Sequence, residues 1–167
     1  MILGMSTAAF TTLHVIISLL GIATGVVAVL AMCKGRRVPT WTALFLTTTV
    51  LTSATGFLFH SASFGPPHII GVISLVLLAT AMVARYVNHL AGAARWIYIA
   101  TAILALYLNV FVGVIQAFQK IPSLHALAPT QKEAPFIVAQ LLVLGFFVVV
   151  TLVSLKQFPA RTIRSVV

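Results

Sequence analysis

Five apolar runs, each long enough to cross a bilayer and joined by short polar segments, leave this chain with lipid as its natural solvent. About 20 residues at ~1.5 Å per residue cross a ~30 Å hydrocarbon core. Inside that core a helix satisfies every backbone N–H and C=O within its own segment. The spans are read at 8–32, 41–59, 68–86, 95–118 and 136–155, in a single transmembrane helical domain covering 1–167. The composition is 61% hydrophobic and only 7% charged, where soluble chains carry about 25% charged residues. The expected fold is an all-α integral membrane bundle of five transmembrane helices.

Breaks between the runs have local causes. The first run stops at Cys33-Lys34-Gly35-Arg36-Arg37, and Pro39 prevents simple helical continuation. A turn containing Gly65-Pro66-Pro67 separates the second and third spans, and Asn88 and Gly92 mark the next tight loop. A longer loop, 119–135, holds Pro122, Pro129 and Pro135. The first run lacks a basic stretch ahead of it, so it is expected to be retained as a span rather than cleaved as a signal peptide.

The 10 lysines and arginines set the orientation. With five spans, Lys34, Arg36, Arg37, Arg85, Arg95, Lys156, Arg161 and Arg164 fall on one side, leaving only Lys120 and Lys132 on the other. Basic residues collect in cytoplasmic loops, which places the N-terminus out and the C-terminus in. A four-span reading spoils that partition. Trp41, Tyr86, Trp96 and Tyr98 fall at the same cytoplasmic interface, the depth that amphipathic rings prefer. The net charge of +9 therefore reflects topology. No basic stripe with interleaved aromatics points to nucleic acid. Cys33 is the single cysteine, which excludes an internal disulfide, a CxxC redox centre and a cysteine-rich zinc site.

Polar chemistry is scarce and one-sided. His14, His60, His68 and His125, four of the five histidines, share the outer side with Glu133, the only acidic residue; His89 alone is cytoplasmic. His14 lies about two turns into the first span, with Ser18, Gly21 and Gly25 at helical spacing on its face. A lipid-facing imidazole is costly and small residues admit a neighbouring helix, so His14 is expected to point into the bundle. Thr49, Ser53, Gly56 and His60 form a similar stripe on the second span. Asn109, Gly113 and Gln116 share a face of the fourth span, and Gln140 lies about one turn into the fifth.

Imidazole ligates zinc, copper and iron, and a pair on facing helices can hold a haem. The leading expectation is a transition-metal or haem site in the outer leaflet. Its ligands would come from His14, His60, His68, His125 and Glu133, with Asn109, Gln116 and Gln140 as cofactor-binding or supporting amides. An open position on a metal would permit hydrolysis or hydration through a bound water. No HExxH, HxxxH or CxxC spacing reinforces this. The competing expectation gives His60 and His68 interfacial or capping roles, leaves His125 solvated, and has Glu133 begin the last helix at the positive end of its dipole. On that expectation the chain is a non-enzymatic accessory or scaffold subunit with a membrane-protein partner or a second copy. A third option is a lipid- or quinone-binding protein with a pocket among His14, Asn109, Gln116 and Gln140. Transport is disfavoured, since paired half-helices and intramembrane charges are missing.

The stretch Asn109-Val-Phe-Val-Gly-Val-Ile-Gln116, followed by Pro122-Ser-Leu-His125-Ala-Leu-Ala-Pro129-Thr-Gln131, resembles a group of uncharacterised bacterial multi-spanning inner-membrane proteins. The first half is similar to another such group, with a histidine in an early span and a second after a basic loop, where this chain has Trp41. The resemblance implies a bacterial inner (plasma) membrane location and no particular activity.

Overall fold

The computed structural model describes residues 1–59 and 65–159; His60, Arg161 and Arg164 lie outside the described residues. The order is α1 Thr7–Cys33, α2 Pro39–Gly56, α3 Pro66–Met82 continued by a π-helical turn Val83–Val87, α4 Ala93–Lys120, a short α5 Pro122–Leu127, and α6 Ala134–Gln157. The described residues form no strand, only an isolated bridge between Ile2 and Met5. Proline sits in the first turn of α2, α3, α5 and α6, where its missing N–H costs nothing. The Ser6 hydroxyl caps α1 by accepting from the Ala9 N–H at 3.2 Å.

Four helices are long and apolar enough to cross a membrane: α1, α3 with its π turn, α4 and α6. This makes the chain a multi-pass membrane protein by length and composition. The helix α2 has 18 residues but carries seven threonines and Ser53, which lower its hydropathy. Those hydroxyls are handled locally. Thr48, Thr49, Thr52 and Thr55 each donate to the carbonyl four residues back, at 2.6–2.9 Å. Polar side chains satisfied in this way add little cost in an apolar setting. The six-residue α5 lies where the sequence suggested only a loop.

The helix α4 is the hub, packing against α1, α2, α3 and α6. It presents Ala94, Tyr98, Ile99, Ala102, Ile103, Ala105 and Leu106 as a buried stripe. Lipid tails are as apolar as leucine, so close contact between small residues holds the helices together rather than expulsion of water. Ala28, Ala81, Ala84, Ala102 and Ala105 supply such contacts in the core. Gly25 shows the tightness: a Cβ there would lie 2.6 Å from Leu106 Cδ1 and 2.8 Å from Phe45 Cδ2. Gly21 and Gly25 thus face α2 and α4 inside the bundle.

Cations gather at one end of this bundle. Arg95 donates to the carbonyls of Leu155 (3.5 Å) and Phe158, and its guanidinium lies 4.0 Å above the Trp96 ring. Arg37 donates to the Pro159 carbonyl at 3.0 Å. Gly35 adopts φ +65°, and a Cβ there would lie 3.0 Å from the Gln157 carbonyl oxygen. The last turn of α6 is therefore clasped by the α1–α2 loop and by the start of α4. Trp41, Tyr86 and Trp96 are exposed at this end, as amphipathic anchors should be. Tyr98 departs from the expectation: its side chain is fully buried in the core, 5.4 Å from the Arg85 guanidinium. After the π turn, His89 (φ 49°) and Leu90 (φ 61°) are left-handed, at about 1–2 kcal/mol each. Burial of Leu90 and its N–H bond to the Ala84 carbonyl at 3.0 Å hold them there.

Candidate functional site

His14 points into the bundle. Its Nδ1 lies 2.8 Å from the Thr55 hydroxyl, and its ring stands edge-on to Phe59 at 5.2 Å. Gly56 borders the ring: a Cβ there would stand in ordinary contact with the imidazole, at 3.9 Å. Ser18 donates to the His14 carbonyl at 2.8 Å. Thr55 has one hydroxyl hydrogen and directs it to the Leu51 carbonyl at 2.6 Å. With its hydrogen so placed it accepts from His14 Nδ1–H, the tautomer in which Nε2 keeps its lone pair; the opposite tautomer reverses this bond.

His68 is engaged differently. Its Nδ1 accepts the Gly65 N–H at 3.2 Å, closing the first turn of α3, and its ring lies 5.8 Å from Phe57. The capping role weighed from sequence is the one observed. The helix α2 packs against both α1 and α3, with Thr55 and Phe59 turned to His14 and Phe57 turned to His68. His14 and His68 thus sit on opposite flanks of α2. His125 is exposed on α5.

Glu133 is the residue before α6, yet its carboxylate turns backwards. It accepts from the Thr130 hydroxyl (2.8 Å), the Thr130 N–H (3.1 Å) and the Lys132 N–H (3.0 Å). Desolvation acts to raise its pKa, but the Thr130 hydroxyl and then the backbone N–H groups of Glu133, Thr130 and Lys132 outweigh it. They hold the carboxyl below its ordinary value. Gln131 Nε2 donates to the Ile115 carbonyl at 2.9 Å, tying the same loop to α4.

The three amides diverge. Asn109 Nδ2 faces α1 and α2, at 3.2 Å from where a Gly21 Cβ would stand, beside the Thr48 and Thr49 hydroxyls. Gln140, on α6, donates to the Phe111 carbonyl at 3.2 Å. Gln116 is exposed. Asn109 Nδ2 and Gln140 Oε1 are buried without a hydrogen-bond partner among the described residues. An apolar groove of about 320 Å³ runs between α4 and α6 past Tyr107, Phe147 and Thr151, with none of these amides and no histidine in its wall. Among the described residues, no three His, Cys, Asp or Glu side chains come within reach of one metal ion; His60 lies outside them.

Thr55 is the partner of His14 that sequence reasoning missed. Its place four residues before Phe59 and one before Gly56, on a threonine-rich stripe, was the available signal. Comparison with protein-family models, with curated proteins and with solved structures finds no match.

Proposed function

We propose that this chain is a five-span integral membrane protein, N-terminus out and C-terminus in. It serves as a non-enzymatic accessory or scaffold subunit of a bacterial inner membrane, with a membrane-protein partner or a second copy. The observation that carries this reading is the commitment of several outer polar groups to the bundle itself. Glu133 is taken by three donors, His68 by a helix cap, and Gln131 and Gln140 by carbonyls of α4. Groups engaged this way hold turns and helices in place. As a fifth span, α2 is about 27 Å long at ~1.5 Å per residue, close to the hydrocarbon thickness. The excess of cations around the α1–α2 loop, the α3–α4 loop and the end of α6 supports the orientation.

The test is crosslinking in native membranes followed by purification in mild detergent without a histidine tag. A stoichiometric membrane-protein partner, or a crosslinked second copy, is the expected result. A monomer accompanied by a stoichiometric metal or a Soret band would refute it.

One observation favours a second reading, a cofactor site in the outer leaflet. The contact of His14 Nδ1 with the Thr55 hydroxyl is the orienting bond that a metal-ligating imidazole needs, with Nε2 as the ligating atom in the Nδ1–H tautomer. A transition metal (zinc, copper or iron) or a haem would then be held by His14 with His60. His68, His125 and Glu133 would contribute only after giving up their present engagements or positions. Elemental analysis and an absorption spectrum decide between the readings. Cofactor content unchanged in His14→Ala would sink the second.

A further inference from the structure

The π turn, the α1–α2 loop and the left-handed pair after the turn border a half-open cavity of about 210 Å³, lined by Arg37, Arg85, Tyr86, His89 and Leu90. An i to i+5 step, the Asn88 N–H to the Val83 carbonyl at 2.9 Å, closes the turn that carries Arg85 and Tyr86. π-helical turns recur at functional sites because they displace side chains from the regular helical positions.

The chemistry of the cavity is one-sided. The Arg85 guanidinium stacks on Tyr98 (5.4 Å) and Tyr86 (5.5 Å), and that of Arg37 lies 5.7 Å from the Phe158 ring centre. Arg85 Nε is buried and has no hydrogen-bond partner among the described residues. The chain's only acidic side chain, Glu133, is bonded to Thr130 and Lys132 just ahead of α6. The cavity lies at the other end of that helix, away from this carboxylate, and of its two guanidinium groups that of Arg37 also donates to the Pro159 carbonyl. Exposed Trp41, Tyr86 and Trp96 mark this end as the depth of the lipid headgroups. Planar guanidinium forks pair with phosphate oxygens, and basic pockets between membrane helices on the cytoplasmic side suit anionic headgroups.

We infer that this cavity binds the phosphate of an anionic phospholipid headgroup, with Arg85 and Arg37 as the phosphate contacts and His89 and Tyr86 as flanking donors. The site is distinct from the outer-leaflet groups and stands or falls without them.

The full chain, purified in mild detergent, is mixed with phosphatidylglycerol or phosphatidylcholine and examined by native mass spectrometry, with inorganic phosphate in a parallel arm. Wild type is expected to retain phosphatidylglycerol over phosphatidylcholine. Arg85→Gln and Arg37→Gln should each lower that retention about tenfold or more, as loss of a charge-assisted hydrogen bond does. Lys132→Gln, which removes the same charge near Glu133, should leave it unchanged. Arg85 contacts the core, so Arg85→Lys and Arg37→Gln with His89→Gln provide variants that spare it. Equal retention of phosphatidylglycerol by wild type and by the Arg37→Gln, His89→Gln variant would overturn the proposal. So would binding of inorganic phosphate with no preference among lipids.

Discussion

Gly25→Ala tests how closely α1 approaches α2 and α4. The added methyl would stand 2.6 Å from Leu106 Cδ1 and 2.8 and 3.0 Å from two Phe45 ring carbons. Leu106 and Phe45 are 1% and 0% exposed, so neither has free space to retreat into. Overpacking of this kind costs about 1–3 kcal/mol. In a soluble helix alanine would return up to ~1 kcal/mol of propensity. In lipid that gain shrinks, because backbone hydrogen bonding keeps the segment helical before the bundle assembles. The net expectation is a loss of about 1–2 kcal/mol. Gly145→Ala is the matched control: nothing lies within 4 Å of its Cβ, and the change should fall within about 0.5 kcal/mol of wild type. Reversible unfolding in mixed detergent, followed by circular dichroism or tryptophan fluorescence, reads both. Leu106→Ala should rescue Gly25→Ala in part, with a coupling of about 0.5–3 kcal/mol because the two sites touch. If Gly25→Ala and Gly145→Ala were equally stable, the three helices would not meet as closely as described.

Three other outcomes follow from named contacts. Thr55→Val should destabilise the same bundle by about 0.6–1.7 kcal/mol, the range for interhelical hydrogen bonds in lipid, while Thr55→Ser keeps the His14 partner and stays near wild type; equal loss in both would remove hydrogen bonding as the cause. Glu133 has a lowered pKa in the folded chain. Its contribution is therefore complete above the unfolded value of about 4.3 and disappears as pH falls through the lower folded value. A pH titration of stability should show that acid loss in wild type and a flatter profile in Glu133→Gln. Arg95→Met should release the end of α6 from its clasp at the Leu155 and Phe158 carbonyls, costing about 1.5–3 kcal/mol for charge-assisted bonds and opening the chain at Phe158 and Pro159 to protease. An unchanged cleavage pattern would mean that the Arg37 bond to the Pro159 carbonyl suffices.

The sequence reading located the helices well where composition alone decides. Membrane length and proline position marked α1, α3, α4 and α6 to within a few residues, because lipid leaves an apolar run little choice but helix. It read 41–59 as a span of the same kind, whereas α2 (Pro39–Gly56) is not among the four helices apolar enough to cross a membrane, because its threonines dilute hydropathy. It missed α5, whose six residues in a proline-rich loop are too few to leave a periodic trace. The inward face of His14 was legible from Ser18, Gly21 and Gly25, since small residues betray a packed side.

What the sequence by itself determined is the solvent, the helical content and the lopsided charge, because these follow from residue composition counted along the chain. Only the tertiary structure decided which polar groups meet. Helix order placed α2 between α1 and α3 and so separated His14 from His68. A one-residue slip in hydrogen-bond register after Met82, which no residue pattern announces, turned Arg85 and Tyr86 toward Arg37 and His89. Side chains far apart in sequence become neighbours through helix rotation and order, and both are set by packing between segments rather than within any one of them.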